Sequence, residues 1–165
     1  MPSHIIRIMT VILLSFGFSM TIPNIGVAAG KQDMGGWEKG GKYDRHYDVG
    51  EMDEFKGKVE KVKTIVPLPG MSPGVALEVD VGESDSVLVH ICPVWFADIK
   101  KIGIRKGDKV KIKGAWAEFD GKEIFMASKI KKGEEYEFKV RLTKDGTPFW
   151  TMSPEELARE ASADQ

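Results

Sequence analysis

The residues best suited to chemistry stand two apart in "SVLVHICPVWFADIKK", Ser86 to Lys101, where His90 and the sole cysteine, Cys92, fall within an apolar run. On a regular strand, residues i and i+2 leave the same face with Cβ atoms about 6–7 Å apart, a span one metal ion can bridge. Imidazole and thiolate suit zinc or copper, and Met126, Met71 or Met52 would add a thioether suited to Cu(I). A complete site needs about three or four such ligands. No CxxC or HxxxH accompanies the pair, and the other histidines are His4 and His46. The competing reading is a packed row beneath a short helix, because free cysteine is among the most buried residue types. That reading is the stronger, so no cofactor is expected; the alternative is a metal or redox accessory protein holding Cu or Zn through His90, Cys92 and Met126. Nucleophilic catalysis would further require a carboxylate to orient His90, and only Glu78 and Asp80 on the neighbouring strand are candidates. The chain is therefore expected not to be an enzyme.

The elements that must position these residues are short and alternating. "FKGKVEKVKTIV" runs Phe55, Gly57, Val59 and then slips phase to Val62, which predicts a bulge near Glu60 and Lys61. "PLPGMSPG" is a loop, and "VALEVDV" sets Val75, Leu77, Val79 and Val81 on one face against Ala76, Glu78 and Asp80. "SVLVHIC" is apolar on both faces, so both must be covered. Pro93 is placed to open a helix that carries Trp95, Phe96 and Ile99 and stops at Gly103. Strand four alternates Val110, Ile112, Gly114 and Trp116 against Lys109, Lys111 and Lys113; Asp120-Gly121 then marks a hairpin into "KEIFMASKI".

Three strands, a short helix and a two-stranded hairpin is the order of an OB-fold. The expectation is a mainly β, five-stranded Greek-key barrel with its helix between strands three and four. An extra C-terminal β-hairpin, "YEFKVRL" returning as "TPFW", follows. An SH3-like barrel is the runner-up. The expected limits are an extended N-terminal arm over residues 30–54, the OB domain over 55–150, and a polar tail over 151–165. Ser153, Pro154 and two glutamates open that tail with helix-starting chemistry.

Upstream, "MPSHIIRIMTVILLSFGFSM" places Arg7 before an apolar stretch from Ile8 to Met20, and Val27 and Ala29 follow as small residues. Residues 1–29 read as a signal peptide cut after Ala29. The apolar stretch is short of the about 20 residues a bilayer span needs, so no stable membrane span is expected after cleavage; an uncleaved anchor is the alternative. The protein is expected to be periplasmic or secreted. A single cysteine in an oxidising compartment leaves stability to packing alone. The formal net charge of −1 is no footprint for nucleic acid, and none is expected as a partner.

Several segments together, "KGGKYDRHYD", "KGKVEKV", "VHICPVWF", "KGDKVKIKG" and "LTKDGTPFW", resemble an uncharacterised family of small exported bacterial OB-fold proteins. Relatives read V-H-x-G-P-x-W where this chain has "VHICPVW", so Cys92 stands in place of a glycine. The K-G-D-x-V-x-x-x-G motif of strand four is kept. The resemblance implies an exported OB module and no particular chemistry.

Binding residues follow from composition. Trp37, Tyr43 and Tyr47 are too many aromatics for a plain linker and pin the arm onto the domain or onto a partner. Pro69 and Met71 sit in a proline-stiffened loop that can bind at low entropic cost, and Trp95 is a further binding candidate. The expected function is a non-catalytic binding or adaptor module contacting an envelope protein partner through the aromatic arm and the proline-rich loop. A small-molecule or oligosaccharide binder, with a pocket beside Trp95 or Trp116, is the remaining alternative. Lys109, Lys111 and Lys113 form a row that either solvates the strand or docks an acidic partner or anionic lipid.

Overall fold

The structure is a computed structural model that describes residues 33–162. The signal peptide expected over residues 1–29 lies outside the described residues. No helix among the described residues is long and apolar enough to cross a membrane.

Six strands are present: β1 (Met52–Ile65), β2 (Gly74–Gly82), β3 (Asp85–Pro93), β4 (Lys109–Phe119), β5 (Lys122–Lys132) and β6 (Tyr136–Lys139). They hydrogen-bond in the order β3-β2-β1-β4-β5-β6, and a parallel pairing of β3 with β5 closes the ring. The first five strands thus make the closed Greek-key cylinder of an OB-fold. β1 makes closure possible by serving two neighbours: Met52–Lys58 pairs with β4, and Lys58–Ile65 pairs with β2. Its register slips between Val59 and Lys61, at the phase change seen in the sequence, and a bulge there sharpens the coil. At Gly57, beside that bend, a Cβ would run into the Asp80 carbonyl and the Val79 side chain. Asp120 and Gly121 turn β4 into β5 with φ of 50° and 73°, the positive pair of a two-residue hairpin.

Val59, Leu77, Val79, Val89, Ile112, Phe125 and Ile130 are buried in the core. Each such side chain contributes about 1.5–3 kcal/mol relative to exposure. One end is stopped by Ala97, Ile102 and Ile104, all buried, around the four-residue helix α1 (Ile99–Ile102).

Three expectations are corrected. Pro93 does not open the helix: it ends β3 opposite Gly74, and its carbonyl accepts from the Phe96 and Ala97 N–H groups in a turn. Asp98 is the cap instead, its carboxylate accepting from Lys101 N at 2.8 Å, so the helix is shorter and Trp95 stays outside it. The C-terminal hairpin is present in short form: beyond β6, Arg141 bridges Pro148, the Leu142 N–H donates to the Thr147 carbonyl at 3.0 Å and the Phe149 N–H to the Val140 carbonyl at 2.9 Å. Residues 33–51 are not extended. They form turns and two 3₁₀ segments, Asp44–His46 and Val49–Glu51, and β1 begins three residues before Phe55. The tail forms the helix α2 (Pro154–Ser162), where the Ser153 Oγ and Glu156 side chain cap each other's backbone N–H at 3.2 and 2.7 Å.

Candidate functional site

OB barrels usually bind on the outer face of β2 and β3, between the β1–β2 loop and the β4–β5 hairpin. In this chain that face is covered by its own residues 33–51. Trp37 is fully buried, and its Nε1 donates to the Ser72 carbonyl in the β1–β2 loop at 2.9 Å. Its indole lies on Gly74 of β2, where any Cβ would collide with the ring. Tyr43 is buried on the other side of the cleft, stacked on Phe119 at the β4–β5 hairpin with centroids 5.5 Å apart. It also stacks on His90 of β3, and its hydroxyl lies 3.3 Å from His90 Nδ1. The sequence demanded a cover for the outer face of β3, and this segment is that cover.

Two residues that sequence reasoning did not single out lock the cover down. Arg141 is 3% exposed, and its Nη1 donates to Asp44 Oδ1 at 2.6 Å and to the Gly146 carbonyl at 3.0 Å. Its guanidinium lies over the rings of Tyr47 and Trp150, 4.7 and 5.0 Å from their centroids. Trp150 is buried and donates from Nε1 to the Trp37 carbonyl at 2.8 Å. The surplus of aromatics around Trp37 was the only sequence signal; nothing in the spacing of Asp44 and Arg141 announces their pairing.

His90 and Cys92 are both buried, but they do not form a pair on one face. The β2–β3 register slips between Val75 and Ala76, so Cys92 stands opposite Val75 and His90 opposite Ala76. Ile91 is the extra residue of that bulge, and by register the thiol shares the inner face of Val75 while the imidazole shares the outer face of Ala76. The regular i, i+2 spacing assumed from sequence is thereby corrected. Met126 stands in register with His90 across β3–β5, so it neighbours the imidazole but not the thiol's face. No group of three His, Cys, Asp or Glu side chains able to hold a metal gathers among the described residues. Burial, aided by the charge of Lys63, holds the His90 pKa down at about 4, so the ring is neutral. Burial likewise pushes the Cys92 thiol up to about 12, and the thiol donates to the Ala97 carbonyl at 3.5 Å. Burial also raises the Tyr43 hydroxyl above its ordinary range.

The remaining candidates lie elsewhere. Tyr47 is half-buried and donates to Met52 Sδ at 3.0 Å. Met71 is half-buried against Gly36, and Pro69 is exposed. Trp95 is 46% exposed rather than a plug, and it shares that exposure with Val66 and Ile99. Those three belong to one end of the barrel: Ile65, Gly74 and Pro93 are aligned in register at the ends of β1, β2 and β3, and Val66, Val94 and Trp95 follow them. A shallow depression lined by Thr64, Val94 and Ile99 ties β1 to α1 there.

Fold and surface together define a small OB barrel whose customary ligand cleft is filled by its own chain and which, among the described residues, exposes Val66, Trp95 and Ile99 at one end. The chain belongs to the MamS/MamX magnetosome protein family, whose model matches residues 51–137. Comparison with the curated proteins yields no match. Among solved structures, the Stn1–Ten1 complex of S. pombe is similar at 13% identity with a TM-score of 0.41, over 51% of this chain and 59% of that one. This chain therefore spans less than two thirds of the length of the chain it matches.

Proposed function

We propose that this protein is an exported, non-catalytic binding module that docks an envelope protein through the end of the barrel bearing Val66, Trp95 and Ile99. One observation carries the reading. The cleft an OB barrel would offer to a ligand is closed by Trp37 and Tyr43, while among the described residues three of the four large exposed apolar side chains stand at a single end, the fourth being Val49. A solvent-exposed tryptophan with aliphatic neighbours is the composition of a protein-binding hot spot. The stiff loop through Pro69 borders the same end and is already ordered by the Ser72 N–H bond to the Gly35 carbonyl at 2.8 Å, so docking loses little chain entropy there. Membership of a magnetosome protein family supports a role beside envelope components.

A photo-crosslinker placed at position 95 in cells tests this. It should yield one discrete adduct that a crosslinker at Lys42 does not, and Trp95→Ala should abolish co-purification of the same species. Equal adducts from both positions, or none from position 95, would overturn the assignment. Deleting the arm is not a clean test, because Trp37 and Tyr43 are part of the core.

A further inference from the structure

A second surface, on strands outside the usual ligand face, carries charge that the fold does not neutralise. Lys56, Lys111 and Lys131 stand directly opposite one another across β1, β4 and β5. Lys58 faces Lys109 in the next row, and Lys113 faces Lys129 in the one beyond. Like charges placed opposite each other across strands destabilise a sheet. Neighbouring carboxylates answer only part of this: Glu54 pairs with Lys111 at 2.6 Å, and Glu137 reaches Lys131 at 3.1 Å and Lys129 at 3.6 Å. Lys56, Lys58 and Lys109 make no ion pair among the described residues. The rows border an open groove of about 670 Å³ floored by Val81 and Val110, with Asp80 and Glu134 at its rim. Since the chain as a whole carries a formal charge of −1, this positive field is a segregation and not a general excess.

We infer that this lysine face binds a surface of anionic lipid headgroups, independently of the protein-docking end proposed above. The chemistry of the face selects the occupant. Every cation on it is lysine, a hydrated point charge on a flexible stem, and none is arginine, whose fork reads defined carboxylates or phosphates. No aromatic side chain lines the groove or the adjoining depression of Glu54, Lys111, Lys113, Lys129 and Lys131. Bases therefore have nothing to stack on, and a protein partner finds no aromatic anchor. A repeating, shallow, lysine-only array matches a partner whose negative charges are many, laterally mobile and without fixed geometry. A membrane leaflet rich in acidic phospholipid is such a partner.

The test is co-sedimentation of the full chain with vesicles of equimolar phosphatidylglycerol and phosphatidylcholine, against vesicles of phosphatidylcholine alone. Binding through the apolar N-terminal sequence, whose Arg7 itself favours anionic lipid, is common to wild type and both variants, so the difference between variants reports the lysine face. Wild type should prefer the anionic vesicles, and the preference should fade as salt shortens the Debye length. The triple variant Lys56→Gln, Lys111→Gln, Lys131→Gln should lose about fivefold per lysine, about 100-fold in all, on anionic vesicles, and nothing on neutral ones. A control triple, Lys42→Gln, Lys122→Gln, Lys144→Gln, changes net charge equally and should keep the preference. The inference is overturned if wild type binds both vesicles alike, if the control loses as much, or if soluble polyglutamate or duplex DNA binds more tightly than the vesicles. Lys111→Gln and Lys131→Gln also leave Glu54 and Glu137 without those partners, so the triple variant must keep the wild-type far-ultraviolet dichroism for its loss to count; a loss that comes only with a collapsed spectrum overturns the assignment to the face.

Discussion

Burying a neutral imidazole makes the stability of this domain depend on pH in a window where few other groups titrate. The His90 pKa is held near 4 in the folded protein, whereas an unfolded histidine has a pKa of about 6.5. The folded value is the lower one, so between these limits the unfolded chain binds the extra proton, and stability rises with pH. The contribution is present above pH about 6.5 and is lost as pH falls towards 4. Linkage over that shift gives a loss of about 2 kcal/mol between pH 7 and pH 5 and about 3 kcal/mol once both states are protonated. The carboxylates whose pKa values are lowered, such as Asp108 and Glu137, add acid sensitivity only at lower pH, below their ordinary range near 4. Urea unfolding followed by tryptophan fluorescence at pH 7, 6 and 5 should therefore show a falling midpoint in wild type. In His90→Asn, whose side-chain amide can still meet the Tyr43 hydroxyl, the midpoint should be lower at pH 7 but nearly level down to pH 5. Parallel slopes for the two proteins would refute the account, because the proton would then be taken up elsewhere.

Three further outcomes are expected. Asp44→Ala strands the Arg141 guanidinium, 3% exposed, without its carboxylate, and should cost about 3–5 kcal/mol in urea unfolding; a loss below 1 kcal/mol would mean that water replaces Asp44. Gly74→Ala drives a methyl into the Trp37 ring and should release residues 33–51 to limited proteolysis while the barrel, judged by far-ultraviolet dichroism, persists; an uncut arm would contradict the packing. Cys92 should resist a thiol reagent at pH 8 in the native protein and react at once in urea, since burial pushes its pKa to about 12; fast native labelling would show the thiol is reachable.

The barrel was legible because its strands are wet on one side. Val75, Leu77 and Val79 alternate with Ala76, Glu78 and Asp80, and the phase slip near Glu60 and Lys61 announced the β1 bulge before the register showed it. The bulge at Ile91 left no such trace. β3 is apolar on both faces there, so a slip of one residue moves one apolar side chain for another and nothing in the text changes. For that reason the same-face reading of His90 and Cys92 failed where the reading of β1 succeeded. Pro93 was ambiguous for a related reason: it fits both the end of a strand and the first turn of a helix, and Asp98 five residues on has the stronger cap chemistry. The lining of the cleft by Trp37, Tyr43 and Trp150 joins residues more than a hundred positions apart, and such contacts carry no local period to read.

The filled cleft also changes where the folding unit begins. The segment matched to the family stops short of both strips that seal the groove: Trp37 and Tyr43 precede it, and Arg141 and Trp150 follow it. A fragment trimmed to the shared segment would bare the outer side of β2 and β3, with Ala76 and His90 newly in water, and would be sticky where the whole protein is sealed.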